Sequence, residues 1–566
     1  MLSHPYHAED DDASTIYPVY LLEINAPPSQ DTATGLPHAE EVHDAVLRDL
    51  LTLLVLPAVT GSAPQPGGWI PCDTAPSRLT NADGVVPSKA ALLNRMRWAL
   101  TERRRRREDE IILAQLTEED ASPPSLPEAP PPRRRAGVGR AHCPYFAQPS
   151  SPVFFENAGG TQVPLPVTRA TVSSLCHRHR ANEGRRWNYV ARETLRRLLA
   201  APDDAAVILG PNASRLLADL AARWEHLLSP GDVVVVADWN HVANVTPWER
   251  AAQNAGATLR RWPMGYQTDP PPGLLDRAVS VVAVGHASNV EGEACDLPAL
   301  VRTIRKLVPH AAIVVDGVAA FPHIPARFGE MEADWYVAAL HKACGPVAGV
   351  LVGTRNAAAK AAGNSQAWEP GTDNFEACAG IVGMGEYFSL LAEEEAPPPA
   401  GTEGQDTAQV NGASPCLLSF EDLIDPEAQH VQLSPDTVEM AYRVVREAER
   451  ELLAPLLNYV RGHPRLHVLE RGGGWCHVRL PIVSVVHSIL AAEEIVGHCR
   501  RHGVVCRGGT FLSPRLFESK LVQDLCPGVW PERLREEGAV RFSLLHYNTV
   551  EEVRRLVQVL EKIEGW

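Results

Sequence analysis

The chain has 566 residues and a formal net charge of −16, with 45% hydrophobic and 22% charged residues. This length predicts two or more domains, and the composition is typical of a soluble globular protein. The acidic balance argues against nucleic-acid binding as the main role. The longest apolar run, LLTLLVLPAV from Leu50, is too short to span a bilayer, so no membrane-spanning segment is expected.

Cysteine usage indicates the compartment. The 11 cysteines are odd in number and contain no C-x-x-C pair. This pattern fits a reducing compartment and argues against a disulfide framework or a structural metal site. The acidic opening stretch MLSHPYHAEDDDAS has no basic and apolar regions of the kind found in signal peptides. We therefore expect a cytoplasmic protein without a bound metal.

Residues 1–140 differ in composition from the rest and are predicted to form a partly helical N-terminal extension. Apolar periodicity predicts helices at 40–56 and 89–116. The arginine run at 103–107 is interpreted as a solvated helix face next to acidic residues. The Pro-rich segment 122–137 is typical of an extended linker. Removal of residues 1–140 is therefore expected to leave a folded core.

From about residue 145 the pattern becomes regular. Short β-rich runs (AAVILG, DVVVVAD, SVVAVGH, AAIVVDG and GVLVGT) alternate with helical stretches. This alternation predicts an α/β fold, with a mainly parallel sheet flanked by helices in a large domain at 145–390. A disordered insertion is predicted at 393–415, and a smaller α+β C-terminal domain at 430–566.

Chemistry-bearing residues follow several of the predicted strands. Ligands of open α/β sheets bind at the carboxyl ends of the strands, so these positions are candidate site residues. They are Asp316 after AAIVVD, the stretch GPNAS with Ala213 and Ser214 after AVIL, His241 after VVVVADWN, Asn289 after VVAVGHAS, and Lys342 after ADWYVAALH. Each alone has an ordinary structural explanation, such as a turn or a helix cap.

Together these residues fit pyridoxal phosphate (PLP). PLP needs a lysine for the Schiff base, an acid facing the ring nitrogen and a phosphate site. Lys342, Asp316 and Ser214 supply these three roles. His241 offers a flat group for the ring face, and Asn289 offers a donor near the ring hydroxyl.

The chain resembles the class V aminotransferases of PLP fold type I, most closely the cysteine desulfurase-like branch. The resemblance covers roughly residues 150–566 without the insertion. It is carried by FFENAGGTQVPLPV, DWNHVANVTPWERAAQNAGA, GHASNVEGEACDLPAL, VVDGVAAFPH, LHKACGP, WEPGTDNFEACAGIVGMGEY and VRFSLLHYNTVEEVRRLV.

The resemblance implies a role for each matched residue. Lys342, His241 and Asp316 form the catalytic set, and Asn289 and Arg541 bind the substrate. It also implies a homodimer whose phosphate site takes Thr372 from the partner subunit. The implied cofactor-binding residues are Ala213, Ser214, His241, Asn289, Asp316, His341, Lys342 and Thr372.

The chain departs from the family pattern at several positions. Ala339 replaces a common phosphate-binding serine, and Ala319 replaces a common glutamine or histidine. Leu512 aligns with the cysteine that carries the persulfide in desulfurases, and Cys506 nearby is interpreted as a buried strand residue. Sulfur transfer to a protein thiol is therefore in question, and the sequence does not identify a sulfur acceptor.

Three functions remain open from the sequence. The first is a PLP enzyme that acts on a small L-amino acid by Cα deprotonation with Lys342 and β-elimination or a related step. The second is a class V aminotransferase or epimerase without sulfur chemistry. The third is a non-catalytic interaction protein. The retention of Lys342, Asp316, His241 and Arg541 favours the two enzyme hypotheses.

Overall fold

The structure is a computed structural model, and all of its described residues belong to one compact unit, residues 125–566. Among them, no helix is both long enough and apolar enough to cross a bilayer. The described ranges are 136–176, 182–264, 270–362, 368–394, 433–471 and 478–563.

Several sequence-based predictions fall outside these ranges. They are the helices at 40–56 and 89–116, the arginine run at 103–107, and all but the first two residues of the insertion at 393–415.

The described elements alternate along the chain as the sequence predicts. The strands are β1 Val153–Phe154, β2 Ala206–Gly210, β3 Val233–Ala237, β4 Thr258–Trp262, β5 Val279–Gly285, β6 Glu293–Ala294, β7 Ala312–Asp316, β8 Trp335–Ala339, β9 Gly349–Gly353, β10 Leu466–Val468, β11 Val478–Arg479, β12 Ile482–His487, β13 Val504–Val505, β14 Arg507–Gly509 and β15 Ala539–Ser543. The α-helices are α1 Leu165–Cys176, α2 Asn182–Leu198, α3 Ala213–Glu225, α4 Thr246–Ala255, α5 Leu297–Leu307, α6 Arg355–Ala362, α7 Phe375–Glu393, α8 Pro435–Gly462, α9 Ala492–Arg501, α10 Pro514–Glu518, α11 Lys520–Leu525, α12 Pro531–Glu537 and α13 Val550–Leu560.

A seven-stranded sheet forms the centre of the larger domain, in the order β2-β9-β8-β7-β5-β3-β4. Neighbouring strands from β8 through β4 are parallel, whereas β9 is antiparallel to both β2 and β8. Since β9 reverses the direction twice, β2 runs parallel to β8. The predicted α/β class with a mainly parallel sheet is therefore confirmed.

Both faces of this sheet are buried, which explains the continuous apolar runs. On β3, Val233 and Val235 pack into one hydrophobic cluster, and Val234 and Val236 pack into the cluster on the opposite face. A strand with two buried faces has no need for polar alternation. The carboxyl end of such a strand is the first place where polar side chains appear.

A second sheet, antiparallel and of four strands in the order β10-β12-β15-β14, lies in the C-terminal part of the chain. Helix α8 links the two parts because its first half packs into the core of the large domain and its second half into that of the small one. Strand β1 pairs in parallel with β13, so the start of the described chain also packs on the small domain.

The structure moves the boundary of the predicted N-terminal extension. Residues 136–140 are part of the folded unit, although the sequence assigns them to the extension. Val138 is buried, and the Gly137 N–H donates to the His546 carbonyl at 3.0 Å. Arg140 forms an ion pair with Glu552 at 2.9 Å and donates to the Tyr547 carbonyl at 3.1 Å.

We expect a chain that begins at residue 136 to fold, and a chain that begins at residue 141 to be less stable by about 2–3 kcal/mol. The loss combines the burial of Val138 and the contacts of Arg140. Thermal unfolding of both truncations measures the difference. Arg140→Ala in the longer truncation separates the ion pair from the apolar contact. Equal melting temperatures of the two truncations would show that residues 136–140 contribute nothing.

Candidate active site

The predicted site residues follow strands whose carboxyl ends meet at one edge of the central sheet. Strands β8, β7, β5 and β3 are consecutive neighbours in that sheet. They lead into Lys342, Asp316, Asn289 and His241, respectively. Strand β2 ends at the same edge and leads into Ala213. The topology therefore brings together the residues that the sequence singles out.

Lys342 lies in a short 3₁₀ turn, Leu340–Lys342, directly after β8. Burial, together with the positive charge of Arg541, lowers the pKa of its ammonium group to about 8, and the Asp316 carboxylate acts in the opposite direction. An amine that is largely desolvated is expensive to keep charged. At pH 8 about half of the Lys342 side chains are therefore neutral and able to act as a nucleophile or base.

Asp316 is the last residue of β7 and is buried. Its Oδ1 accepts a hydrogen bond from the Val318 N–H at 3.0 Å. Burial raises the pKa of the carboxyl group, while this bond and the charge of Lys342 lower it. Gly317 allows the chain to turn here, because a Cβ atom at that position would lie 1.9 Å from the Tyr336 ring. A cationic ring nitrogen would favour the carboxylate form of Asp316.

Asn289 is held on three sides. Its Nδ2 donates to the Phe511 carbonyl at 2.9 Å, and its Oδ1 accepts from the Ser513 hydroxyl at 2.9 Å. The Arg541 Nη1 donates to the Asn289 carbonyl at 3.0 Å. These bonds join the large domain to the 511–513 loop and β15 of the small domain.

Arg541 lies on β15 and is buried. Its guanidinium carbon lies 4.3 Å from the centre of the Phe511 ring, and its Nε has no hydrogen-bond partner among the described residues. Burial and the charge of Arg507 lower the pKa of Arg541 to about 10, and Glu156 opposes this effect. A buried guanidinium with an unused donor is suited to binding an anionic group.

His241 begins a 3₁₀ turn after β3, and its Nδ1 accepts a hydrogen bond from the Ala243 N–H at 3.1 Å. Burial and the charges of Lys342 and Arg541 lower its pKa to about 4. The ring is therefore neutral at pH 7. A neutral imidazole suits stacking on a flat ring better than donating a proton as a cation.

The phosphate-site candidates lie at the start of α3. Asn212 caps this helix by accepting from the Arg215 N–H at 2.8 Å, while Ala213 is buried and Ser214 is exposed. A Cβ atom on Gly349 would lie 2.6 Å from the Ala213 nitrogen, so the helix start packs directly on the beginning of β9. The N–H groups of this helix N-terminus are oriented to bind an anion.

Thr372 is exposed in the segment before α7. This segment is fixed by Glu369, which accepts from the Leu209 N–H at 2.8 Å and pairs with Arg192 at 2.6 Å.

His341 accepts hydrogen bonds at its carbonyl from the Thr161 N–H and hydroxyl, at 2.9 and 3.2 Å. Burial and the charge of Lys342 lower the pKa of the His341 ring.

The 511–513 loop is bonded to Asn289 and contains Leu512. Leu512 has a left-handed backbone with φ 56°, is 59% exposed, and accepts at its carbonyl from the Val242 N–H at 2.8 Å. Cys506 is buried in the core of the small domain. The neighbouring Cys499 and burial raise its pKa well above the usual value for a thiol.

The sequence-based list missed His323. A cavity beside Lys342 is lined by Asn157, Ala158, Asn289, Val318, Ala319, Pro322, His323, Lys342 and Ile482. His323 lies within the matched stretch VVDGVAAFPH, but nothing in the stretch indicates its buried partner, Glu449 of α8. Among the described residues, no group of three or more His, Cys, Asp or Glu side chains is arranged to hold a metal ion.

Residues 153–396 match the family model described as aminotransferase class-V. The chain is similar to this family and to the cysteine desulfurases among its relatives. It is 27% identical, over 63% of its length and 78% of the relative's, to an aminotransferase-like protein of Gibberella zeae. It is 31% identical to the cysteine desulfurase CsdA of Escherichia coli over 36% of its own length and 53% of the relative's.

Solved structures show the same fold. The crystal structure of the Escherichia coli desulfurase CsdA, in an S-sulfonic acid form, matches 75% of this chain and 96% of its own with a TM-score of 0.56 and 20% identity. The apo structure of a cysteine desulfurase from Thermococcus onnurineus matches with a TM-score of 0.55 and 16% identity, over 75% and 98% of the two chains. The expectation of PLP fold type I is confirmed.

Enzymes of the aminotransferase class-V family use PLP, and the similarity to them confirms the prediction of a PLP-dependent enzyme. The residues at this sheet edge, together with Arg541 of β15, fit the cofactor. Lys342 is a buried primary amine with a lowered pKa, Asp316 is a buried acid on the neighbouring strand, and Arg541 has a buried, unused donor. The start of α3 adds an anion site at the same sheet edge.

We expect the rate at which PLP binds covalently to the cofactor-free protein to rise with pH, with a midpoint near 8 rather than 10.5. Only the neutral amine attacks the aldehyde, so the rate is low while Lys342 is an ammonium ion. Stopped-flow absorbance between pH 6.5 and 10.5 measures the profile.

Two substitutions test the sign of each charge. Arg541→Gln removes a cation and should move this midpoint upward, whereas Asp316→Asn removes an anion and should move it downward. Lys520→Ala, at an exposed lysine on α11, is the control without a shift. A midpoint that does not respond to either charge would contradict this electrostatic account.

Proposed function

We propose that the chain is a PLP-dependent enzyme that removes the α-proton of a small L-amino acid and eliminates a substituent from its Cβ atom. The observation that carries the proposal is the cavity in which the Lys342 amine, with its lowered pKa, lies beside Asn289, while Asp316 and Arg541 interact electrostatically with the lysine. The relatives named as cysteine desulfurases support a sulfur-containing amino acid as the substrate class.

Each residue has a separate task. Arg541 binds the substrate carboxylate through its unused donor, and Asn289 holds Arg541 and the 511–513 loop in place. Lys342, whose pKa is about 8, takes the Cα proton at Nζ. When bound, PLP supplies the electron sink that stabilises negative charge at Cα. The family match and the buried Lys342 disfavour a cofactor-free interaction protein, and an aminotransferase or epimerase is not favoured either.

The fate of sulfur distinguishes this chain from a thiol-dependent desulfurase. Nucleophilic attack on sulfur needs an accessible thiolate. Leu512 offers none, and Cys506 is buried in the core with a raised pKa. Sulfur from L-cysteine should therefore leave as free sulfide instead of forming a persulfide on the chain.

We also propose a cytoplasmic homodimer. All cysteines in the described part of the chain are free thiols, which fits a reducing compartment. Thr372 is exposed in a segment that Glu369 fixes, so it is available to a partner subunit. In the dimer, Thr372 would bind the cofactor phosphate of the partner's site.

In deuterated water, the PLP-loaded protein should exchange the α-proton of L-alanine. Lys342→Ala should slow this exchange by at least about 10³-fold. The Nζ atom is the base, so no other side chain replaces it. Proton NMR of alanine measures the loss of the α signal. Lys520→Ala is the matched control at an exposed lysine. Exchange that persists in Lys342→Ala would contradict the assigned base.

Subunit mixing tests whether Thr372 acts across the dimer. Thr372→Ala should weaken PLP binding about tenfold through loss of one phosphate contact, and Lys342→Ala should be inactive. A mixed dimer of these two variants contains one intact site if Thr372 acts in trans. At a PLP concentration too low to load the Thr372→Ala homodimer, activity should therefore rise upon mixing. Thr258→Ala, at an exposed threonine on β4, is the control. If mixed dimers form and activity does not rise, Thr372 acts in the site of its own subunit or in no site, and the proposal is wrong.

A further inference from the structure

We propose that His323, oriented by Glu449, is the proton donor to the group that leaves the substrate Cβ. The proposal deepens the proposed elimination and rests on it. His323 lines the cavity that contains Lys342 and Asn289, and it lies in the turn that follows Asp316. The family-based list of site residues contains neither His323 nor Glu449.

The hydrogen bond to Glu449 fixes the Nδ1 edge of the His323 ring. The His323 Nδ1 lies 2.8 Å from the Glu449 Oε1, and both side chains are 5% exposed. With Nδ1 bonded to the carboxylate, Nε2 lies on the opposite edge of the ring and is available to the cavity. A carboxylate that holds one ring nitrogen fixes the tautomer and the ring orientation and stabilises the protonated imidazole.

The pair lies among other buried titratable groups. Burial raises the pKa of Glu449, and the charge of His323 opposes this effect. The charge of His323 in turn helps to lower the pKa of the buried His546 to about 3, so that ring is neutral. Tyr442 and Cys344 interact electrostatically with Glu449, His546 interacts with His323, and Lys342 lines the same cavity.

Ala319 opens the cavity to His323. The turn Gly317–Ile324 is hydrogen-bonded as a helical turn, with the Phe321 N–H donating to Gly317 and the Ile324 N–H to Ala320. Residues four apart lie on the same side of such a turn. Ala319 and His323 line the same cavity. Because Ala319 has a short side chain, it leaves the His323 ring uncovered on the cavity side, whereas a longer side chain at this position would cover that ring.

A proton donor beside the cavity would assist the departure of sulfur. No thiolate in the 511–513 loop takes the sulfur, Lys342 is occupied with the Cα proton, and His241 is uncharged because its pKa is about 4. Lys342 Nζ takes the Cα proton, and the electron pair left at Cα forms the bond to Cβ. The Cβ–S bond breaks with its pair on sulfur, and the proton of His323 Nε2 converts the departing thiolate to hydrogen sulfide.

The experiment compares two reactions of the PLP-loaded protein from pH 6 to 9. Sulfide release from L-cysteine needs the donor, whereas α-proton exchange of L-alanine has no leaving group. His323→Gln should lower sulfide release by about 10²-fold or more and change alanine exchange by less than about threefold. Both reactions are followed over this pH range, and the ratio of their rates is the readout, because only sulfide release has a leaving group to protonate.

Glu449→Gln keeps the imidazole and tests the orientation by the carboxylate. It should lower sulfide release by about tenfold or more and leave alanine exchange within about threefold, because the imidazole loses the partner that orients it. If His323→Gln does not fold, Glu449→Gln alone tests the role of His323. Cys506→Ser is the control, and its sulfide release should equal that of the native protein, since Cys506 is in the core.

The outcomes separate the two proposals. Native protein that exchanges no alanine proton overturns the proposed function, and this inference falls with it. Alanine exchange with unchanged sulfide release in His323→Gln overturns the donor assignment alone. Equal losses of both reactions, with a lower melting temperature, show that the pair only joins α8 to the large domain. Alanine formation from cysteine that vanishes in Cys506→Ser makes Cys506 the sulfur acceptor and also overturns the assignment.

Discussion

The site depends on the burial of one amine. Lys342 lies at the end of a fully buried strand, where a cation is poorly solvated, and only Asp316 opposes the resulting fall in its pKa. Desolvation and the charge of Arg541 both favour the neutral amine. The same burial that makes the lysine costly for folding makes it a nucleophile and a base near neutral pH.

The rest of the molecule maintains this environment from two directions. The central sheet fixes Lys342 and Asp316 on neighbouring strands, with Gly317 allowing the close approach of the Tyr336 ring. The small domain contributes Arg541, which bonds to the Asn289 carbonyl. Helix α8 packs in the cores of both domains and so holds them together. The position of the small domain sets the distance between Arg541 and Lys342.

Much of this arrangement is predictable from the sequence because local patterns encode it. Apolar runs predict the strands, and strand order along the chain predicts that Lys342, Asp316, Asn289 and His241 share one sheet edge. The direction of β9 is not encoded in this way, because GVLVG reads the same in a parallel or an antiparallel pair.

Long-range contacts are the part that the sequence does not show. His323 and Glu449 are separated by 126 positions, and β1 pairs with β13 across a stretch of chain longer than a typical domain. The sequence assigns residues 136–140 to the end of the N-terminal extension, yet Arg140 bonds to residues near the C-terminal end of the described chain. Such contacts depend on how the domains pack, and no short pattern specifies them.

The covalent position of the cofactor tests the central claim most directly. The protein is incubated with PLP, reduced with borohydride, digested and analysed by mass spectrometry, with the other described lysines as internal controls. The account predicts one stoichiometric phosphopyridoxyl group per chain, on the peptide that contains Lys342, and its loss in Lys342→Ala. Labelling distributed over exposed lysines such as Lys520, or unchanged in Lys342→Ala, would contradict the account.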